Sequence, residues 1–549
     1  MQSPREILTD LWALAGGDPS ALEAVMLTGE EPQLPSSFRV AAAAQASIAA
    51  AGLAAAQVWK LRSGQSQHVA VDMRHAIVEC RSERYLRVDG KPPPPAWDAI
   101  AGIYRTRDQR FVRLHTNFRH HRDAVCQVLN CRPERDDVQA ALMQCDGEAF
   151  ETAAYTSGCV VAMMRSHEEW SELPHARALA ELPLVSIEKI GEAAPRPWPG
   201  GDRPLAGLRV LDLSRVIAGP VAGRTLAVHG ADVLLISGPD LPAIPWLTID
   251  TGRGKLTSFV ELKSEQGRDG LRDLLADADI FSQGYRPQAL AALGFSPQDA
   301  ARISPGIVYV SLSAYGHAGP WAERRGFDSL VQTATGFNHA EGQAAGVDGP
   351  KELPAQMLDH ATGYLMAFGA MMAKARQSRE GGSWHVRVSL ARTGRWLWNL
   401  GRVADGFKTE DLKGETVQPF IEEFRPASVR CGPSVIRRCC RKPRHSGRVR
   451  RCRSAVIRRS GRCAAKQQAP PVEILILTLE LFAFLRLSET LLGTTSAATR
   501  QSPPQSVIRS RTHADRFYQA ISVAYQKTSG HWRGPAGGRR GCGVWADAY

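Results

Sequence analysis

Several common catalytic motifs are absent from this sequence. It has no GxxxxGK[ST] phosphate loop, no HExxH motif, no CxxC pair and no GxSxG nucleophile elbow. These absences argue against a P-loop nucleotide hydrolase, an HExxH metalloprotease, a CxxC zinc or redox site and an α/β-hydrolase. We therefore expect no metal site and no permanently bound cofactor.

Long uninterrupted apolar segments are also scarce. Charged residues break up the first 20 residues, which lack the continuous apolar core of a secretory signal, so we expect a cytoplasmic protein. The most apolar stretch, VEILILTLELFAFLRLSETLLG at residues 472–493, is interrupted by Glu480 and Arg486. A spanning helix needs about 18 to 20 clean apolar residues, so a membrane span there is a less favoured alternative.

Acidic residues are missing from one long segment. Residues 425–466 contain 13 Arg and 2 Lys without Asp or Glu, so they supply more than the whole net charge of +13 and leave −2 for the rest. They also hold five of the eleven cysteines, without the spacing of zinc ligands. Three interpretations compete for residues 425–549: an RNA-binding arm, a solvated basic tail, or GC-rich DNA translated out of frame. The abrupt change after FIEEF favours the frame shift, and we expect no nucleic-acid partner.

Short apolar strands alternate with helical stretches from Leu208 onward. LRVLDLS, ADVLLIS, DADIFSQ and GIVYVSLS are typical of strands, and GPVAGRTLAVHG is typical of a helix. The alternation predicts an α/β fold with a parallel sheet and helices packed on its faces. The Pro- and Gly-rich residues 196–207 are predicted to link residues 1–195 to a catalytic domain at residues 208–403.

The two halves share an internal echo. AGLAAAQVWKLRSGQSQHVAV at residues 51–71 matches FGAMMAKARQSREGGSWHVRV at residues 368–388 at one constant offset of 317, without gaps. The match suggests duplication of a unit made of a helix, a turn and a strand. At the same offset Asp359 corresponds to Ala42, so the first copy has the scaffold without the acid.

Asp359 stands at the front of a long run of Ala, Gly, Met, Leu and Phe. A carboxylate just before such a helix can act as its N-cap. Alternatively, the free N–H groups of the helix end and the small residues Ala361 and Gly363 would leave Asp359 ionised and open to a substrate, as a nucleophile requires. The two interpretations are compatible. The small-residue turn AGPVAG lacks the GxGxxG spacing, so it predicts a dinucleotide site only weakly and also fits tight packing of strand on helix.

Four ordered blocks resemble the class III CoA-transferases (CaiB/BaiF family). They are GLRVLDLSRVIAGPVAGRTLAVHGADVLLI, GKLTSFVELKSEQGRDGLRDLLADADIFSQGYRPQALAALGF, PGIVYVSLSAYGHAGPWAERRGFDSLVQTATGF and LDHATGYLMAFGAMMA, within about residues 205–402. The resemblance implies a Rossmann-like domain with a doubly wound parallel sheet that binds CoA, a second, smaller domain and a homodimer. It also implies that Asp359 attacks an acyl-CoA thioester and passes CoA to a small carboxylic acid through an anhydride and an aspartyl-CoA thioester.

The resemblance also implies a set of CoA-contacting residues. Matched position by position, these are Val216, Ile217, Val260, Lys263, Gly284, Tyr285, Arg286, Ser313, Ala314, Tyr315 and Gly316. The family often has basic residues at three positions that are Gly238, Ala292 and Ser313 here, which predicts weaker attraction for the CoA phosphates. Arg253, Lys255 and Arg286 are candidates to compensate, or are solvated surface cations.

Several residues bear on activities other than CoA transfer. Acyl-CoA racemases share the fold and use a His in the block that matches GFDSLVQ, where Phe327 stands here, and a ring without a titratable nitrogen cannot carry a proton. Asp328 is expected to be a structural hydrogen-bonding residue, His317 to be non-catalytic, and His360 at most to tune Asp359. A CoA-binding pseudoenzyme and a nucleic-acid-binding protein stay as alternatives.

The N-terminal half resembles the later part of the family's chain, through residues 41–71 and 160–191, whereas residues 205–402 resemble the earlier part. We therefore expect residues 1–195 to be a partial, inactive copy. We also hypothesise that residues 40–190 complete the fold in swapped order. That hypothesis requires them to contact the sheet formed by residues 205–402.

Overall fold

A seven-stranded sheet organises the protein, whose computed structural model describes residues 1–424 and 474–477. Six neighbouring strands are parallel, and the seventh runs antiparallel to the sixth. In spatial order the strands are Lys255–Phe259, Asp232–Ser237, Arg209–Leu213, Ile280–Gln283, Val308–Ser313, Ser383–Ser389 and Ser186–Gly191. The predicted α/β class with a large, mostly parallel sheet is confirmed.

The strand order places a switch point in the middle of the sheet. From Arg209–Leu213 the chain first builds outward on one side, and it then returns to add Ile280–Gln283 on the other side. This is the doubly wound arrangement, in which ligands bind beyond the carboxyl ends of the strands on either side of the reversal. Residues 214–217 and 284–286 therefore lie at the expected ligand edge.

Both faces of the sheet are covered, because successive strand residues point to opposite sides. Val210 packs in the core cluster that contains the helices Ala218–Val228 and Met357–Glu380. Leu211 packs in the cluster on the other face, with the helices Glu265–Ala276 and Pro297–Ile303.

The N-terminal half is built onto this sheet. Its strand Ser186–Gly191 pairs with Ser383–Ser389, and its helix Val40–Ser63 packs along the helix Met357–Glu380. The contact that the swapped-order hypothesis requires is therefore present. Val40–Ser63 is long and apolar enough to cross a membrane by length and composition, but 94% of its most apolar window is buried inside the protein.

A small unit with its own core lies at residues 98–163. It has an antiparallel sheet of the strands Gly102–Arg105, Phe111–Leu114 and Val161–Met163, covered by the helices Arg119–Leu129, Arg135–Leu142 and Gly147–Thr156. Ile100, Tyr104 and Val112 are among its buried residues.

Shorter elements complete the described residues. The remaining helices are Pro4–Leu14, Met73–Glu79, Ser82–Tyr85, His167–Glu172, Pro174–Ala180, Pro245–Thr251, Asp328–Ala334, Phe337–Ala345 and Leu390–Asn399, with 3-10 turns at Pro19–Ala24, Ala291–Leu293, Gly406–Lys408, Gly414–Thr416 and Gln418–Phe420. Val25–Thr28 pairs with Val69–Asp72, and Arg87–Val88, Ile474–Leu477 and Ile421–Phe424 form a three-stranded sheet. The frame-shift interpretation of residues 425–549 falls outside the described residues, apart from Ile474–Leu477, and stays a prediction.

The internal echo extends to the structure. The helices Val40–Ser63 and Met357–Glu380 begin and end at the offset of 317, and each is followed by a glycine with positive φ, Gly64 at 76° and Gly381 at 66°. Each then leads into a strand and a further helix, Met73–Glu79 in the first copy and Leu390–Asn399 in the second. The duplicated unit is thus helix, turn, strand and helix.

Candidate active site

Asp359 is the third residue of the helix Met357–Glu380, not its N-cap. The N-cap position is Gln356, whose side chain makes no capping hydrogen bond. The Asp359 backbone N–H instead donates to Oδ2 of Asp328 at 2.9 Å. The predicted N-cap role of Asp359 is therefore wrong: a carboxylate from another helix accepts the hydrogen bond of the helix end, and the Asp359 carboxyl group is not used for that purpose.

Asp328 is a buried hydrogen-bonding residue, as expected. Besides the N–H of Asp359 it accepts a hydrogen bond from Nε2 of Gln332, whose Oε1 accepts the N–H of Leu353 at 3.0 Å. Burial raises the pKa of Asp328 to about 6. This short network holds the start of the Asp359 helix in place.

The surroundings of the Asp359 carboxyl group raise its pKa. Burial raises its pKa well above the usual value, and the nearby carboxylates of Asp328 and Glu83 raise it further. Only 7% of Asp359 is exposed. Desolvation and two acidic neighbours thus oppose the ionisation of Asp359 that the helix end favours, and its ionisation stays a prediction.

An acid from the N-terminal half reaches this helix end. Oε2 of Glu83 lies 3.2 Å from Nε2 of His360, and the imidazole lowers the pKa of Glu83. His360 is buried, and its Nδ1 has no hydrogen-bond partner. Sequence reasoning missed Glu83, since 277 residues separate it from His360 and neither lies in a recognisable motif.

A buried ionic network lies behind the same helix. Arg224 contacts Glu79 at 2.6 Å and Asp250 at 3.2 Å, and Arg253 contacts Asp250 at 3.0 Å. The Tyr364 hydroxyl donates to Glu79 at 3.4 Å. Charges from both halves are thus paired inside the protein, which ties the N-terminal half to the Asp359 helix.

The Asp359 helix meets the switch point through Gly363. A Cβ at Gly363 would lie 2.5 Å from the carbonyl oxygen of Ala218, so only glycine permits this close approach. The helices Ala218–Val228 and Met357–Glu380 each connect two parallel strands and run antiparallel to them, so both helices begin at the carboxyl edge of the sheet. Asp359 therefore lies at the same edge as Val216 and Ile217, and Val216 holds a strained φ of 73° there.

Three arginines without acidic partners gather around the switch point. Among the described residues Arg215, Arg286 and Arg325 form no ion pair with a carboxylate; Arg325 donates to the Gly158 carbonyl at 2.8 Å, and Arg215 lies 4.9 Å from the centre of the Phe118 ring. Burial lowers the pKa of Arg325, and nearby Arg286 lowers it further. Neighbouring unpaired cations are stabilised by an anionic ligand, so this cluster fits phosphate groups.

The other predicted cations are used inside the protein. Lys255 is fully buried, and its Nζ donates to Asp212 at 2.8 Å and to the Pro220 carbonyl at 2.7 Å. Arg253 belongs to the ionic network of Asp250. The prediction that Lys255 and Arg253 compensate for the missing basic residues is therefore wrong, whereas Arg286 is exposed and placed to do so.

A cavity of about 330 Å³ opens beside the switch point. Four of the predicted CoA-contacting residues line it: Tyr285, Arg286, Ser313 and Gly316. Asp359 is not part of its wall. Neither are the other seven predicted CoA-contacting positions, which are Val216, Ile217, Val260, Lys263, Gly284, Ala314 and Tyr315. Val260, Ile217 and Tyr315 have buried side chains, so only their backbone is available to a ligand there.

A histidine from the N-terminal half covers Phe327. The rings of His115 and Phe327 stack with their centres 3.8 Å apart, and His121 lies beside them. Burial lowers the pKa of His115 to about 3 and that of His121 to about 2, so both are neutral. No group of His, Cys, Asp or Glu in the described part of the chain has a geometry that would hold a metal ion. The 212 residues between His115 and Phe327 hid this contact from sequence reasoning.

Comparisons with known proteins agree with the sequence resemblance. Residues 205–422 match the family model "CoA-transferase family III". The chain is 30% identical over 325 residues to the acetyl-coenzyme A transferase nodX of Hypoxylon pulicicidum, covering 54% of each protein. It is 33% identical over 183 residues to the human succinyl-CoA:glutarate CoA-transferase, covering 31% of this chain and 41% of that protein.

A solved structure shows the same partial coverage. The orthorhombic crystal structure of Rv3272 from Mycobacterium tuberculosis is 30% identical, with a TM-score of 0.33, over 37% of this chain and 57% of the other. The chain thus spans about half the length of these relatives. The similarity to the CoA-transferase family III covers residues 205–422.

Proposed function

We propose that this protein transfers CoA from an acyl-CoA donor to a carboxylic acid acceptor, with Asp359 as the nucleophile. The observation that carries the proposal is the position of Asp359: its carboxyl group lies at the carboxyl edge of a doubly wound sheet and is free of the capping role. The three unpaired arginines at the same edge supply sites for the phosphates of CoA. The names of the relatives range from acetyl-CoA to succinyl-CoA:glutarate transferases, so we propose the substrate class alone.

The reaction proceeds by exchange at the Asp359 carboxylate. Its oxygen forms a bond to the thioester carbonyl carbon, the C–S bond breaks, and CoA leaves as the thiolate. The thiolate then attacks the Asp359 carbonyl of the mixed anhydride and releases the donor acid, which leaves CoA as an aspartyl thioester. The acceptor carboxylate repeats both steps in reverse and regenerates Asp359.

Asp359 must lose its proton before the first step. Because the pKa of Asp359 is raised, we expect slow transfer at low pH and a rate of transfer that increases with pH. A carboxylate with a raised pKa is also the more nucleophilic once ionised. The capping of the helix by Asp328 keeps the Asp359 carboxyl group free to react.

The test is Asp359→Asn, assayed by exchange of CoA between isotopically labelled acids. The amide keeps the size of the side chain but cannot form the anhydride, so transfer should vanish while the fold is retained. Hydroxylamine should trap the acylated wild-type enzyme, with the modification mapped to Asp359 by mass spectrometry. Glu380→Gln, at the exposed end of the same helix, is the matched control and should behave as wild type. Trapping on another residue would refute the proposal.

A CoA-binding protein without transferase activity is the second candidate. It is favoured by the internal use of Lys255 and Arg253, which leaves fewer cations for the phosphates than the sequence suggests. Binding of CoA by the wild type without any exchange between acids would support this candidate. The homodimer and the cytoplasmic location implied by the sequence are proposals as well, to be checked by light scattering and by cell fractionation.

A further inference from the structure

A serine, a histidine and an arginine form a chain of hydrogen bonds in the wall of the 330 Å³ cavity. Nε of Arg387 lies 3.2 Å from Nδ1 of His385, and Nε2 of His385 lies 2.8 Å from Oγ of Ser311. The three residues lie on the neighbouring strands Val308–Ser313 and Ser383–Ser389, in which Ser311 is paired with Arg387. The chain therefore has a fixed geometry that the sheet itself provides.

The direction of the hydrogen bonds follows from Arg387. A guanidinium Nε always carries a proton, so Nδ1 of His385 must accept and is unprotonated. Burial, with smaller effects of Arg387 and His317, lowers the pKa of His385 to about 3, so its imidazole is neutral and has one proton. That proton is on Nε2 and is donated to Ser311.

This tautomer excludes a familiar alternative. In a Ser-His nucleophile the imidazole nitrogen next to the serine must be unprotonated in order to accept the hydroxyl proton. Here the same nitrogen is a donor, so His385 cannot activate Ser311 as a nucleophile. The Ser311 oxygen accepts, and its own proton is left to donate.

The Ser311 proton has no acceptor in the protein. Ser311 makes no second hydrogen bond within the described residues, and it lines the cavity together with Tyr285, Arg286 and Leu290. Hydrogen bonds in series polarise one another, so a hydroxyl that already accepts from a neutral imidazole is a better donor. The wall thus presents an oriented donor, Ser311, in a lining of mixed polar and apolar side chains, and the cation Arg286 lines the same cavity.

We propose that Arg387 and His385 orient Ser311 as a hydrogen-bond donor that binds an acceptor atom of the CoA moiety in this cavity. The proposal rests on the proposed function, because it takes CoA as the ligand. Amide carbonyls of the pantetheine arm and ring nitrogens or phosphate oxygens of the nucleotide share the required acceptor chemistry. Ser311 is a specificity-determining residue, and His385 and Arg387 are positioning residues.

The experiment is titration calorimetry of the full-length protein with CoA, pantetheine and 3′,5′-ADP. Ser311→Ala should weaken CoA binding about three- to tenfold, the usual effect of losing one uncharged hydrogen bond. The same loss should appear with either pantetheine or 3′,5′-ADP, which identifies the part of CoA that Ser311 contacts. Ser311→Thr keeps the hydroxyl and should restore most of the affinity. Ser282→Ala is the matched control, because Ser282 lies on the adjacent strand and does not line the cavity.

A spectroscopic measurement separates positioning from a merely structural role. Nitrogen NMR of protein with labelled histidine should show His385 protonated at Nε2, and CoA should shift that signal in the wild type. Arg387→Met should allow the His385 proton to lie on either ring nitrogen and should reduce CoA affinity. The melting temperature of the variant checks that it is folded. If wild type binds CoA while Ser311→Ala binds all three compounds equally well, the inference is wrong and the proposed function stands. Absence of CoA binding by the wild type would instead refute the proposed function, and an acyl adduct on Ser311 would overturn the donor assignment.

Discussion

The two copies of the duplicated unit differ at the start of their long helices, although the backbone there is held in the same way. In the second copy the Asp359 N–H donates to Asp328 at 2.9 Å, and in the first copy the N–H of Ala42 donates to Oε1 of Glu31 at 2.7 Å. Burial raises the pKa of both Glu31 and Asp328. A carboxylate from a preceding segment thus accepts a hydrogen bond from each helix end, and only the second copy adds an acid, Asp359, at the third helix position.

The surroundings of the two copies diverge further along the chain. The strand Ser383–Ser389 lies inside the large sheet beside the cavity, whereas Val69–Asp72 has Val25–Thr28 as its one partner among the described strands. At the offset of 317, Ala70 stands where Arg387 is found in the second copy. The comparison teaches that both copies need a carboxylate to accept a hydrogen bond from the helix end. The acid Asp359 and the hydrogen-bond chain around Ser311 are additions specific to one copy.

Making the second copy like the first gives the largest expected effect. Asp359→Ala should reduce CoA transfer by about 10⁴-fold or more, as expected for loss of a nucleophile. The free energy of unfolding should change by less than about 1 kcal/mol, because the Asp359 carboxyl group holds no capping bond. Labelled-acid exchange and urea denaturation measure the two effects. Transfer at a tenth of the wild-type rate would show that another residue is the nucleophile.

Making the first copy like the second should destabilise the protein. Ala42 is completely buried beside Glu31, so the carboxylate introduced by Ala42→Asp would lose its hydration next to another acid and should cost about 3 kcal/mol at pH 7. Burial raises the pKa of the new acid in the folded state, so the loss should shrink as the pH falls and the group is protonated. Urea denaturation at pH 7 and pH 5 tests this, with Ala42→Asn as the uncharged control. An equal loss at both pH values would contradict the electrostatic explanation.

The capping acids should differ in their effect on the pH dependence of transfer. Asp328 raises the pKa of Asp359, after burial itself, so Asp328→Asn should lower that pKa. Because the proposed nucleophile is the ionised form of Asp359, the rising limb of the pH–rate profile should move to lower pH. Glu31→Gln is the control from the other copy and should leave the profile in place. A shift in both variants would indicate a global rather than a local change.

The smallest effects concern the helices that follow the two strands. Ser389 accepts the N–H of Arg392 at 3.3 Å, and Asp72 accepts the N–H of His75 at 3.0 Å. Each is the N-cap of its helix, so Ser389→Ala and Asp72→Ala should each lower the free energy of unfolding by about 1 kcal/mol. Urea denaturation compares them. If the two variants differ by more than about 2 kcal/mol in the free energy of unfolding, the N-cap contributes differently to stability in the two copies.

Much of the fold could be predicted from local patterns. The alternation of strands and helices after Leu208 indicated the parallel sheet, and the offset of 317 indicated the paired long helices, because both depend on residues close in sequence. The position of the antiparallel strand Ser186–Gly191 in the large sheet did not follow from any local pattern.

The candidate site could be predicted only in part, for a physical reason. A cation in a sequence gives no sign of whether it faces solvent or a buried carboxylate, and the 43 residues between Asp212 and Lys255 concealed their ion pair. The same limitation hid Arg215 and Arg325, which no motif distinguishes from surface arginines. The raised pKa of Asp359 could not be predicted, because Glu83 and Asp328 come from distant segments that only folding brings together.

The contact between the two long helices has a genetic consequence. Val40–Ser63 carries eleven alanines among its 24 residues, whereas Met357–Glu380 carries five alanines and larger side chains such as Met366 and Phe368. In an assembly of two identical subunits, every substitution on such a surface appears on both partners at once. Here a substitution appears on one helix only, so one helix is free to carry small side chains and the other large ones, and one copy is free to carry an acid that the other lacks.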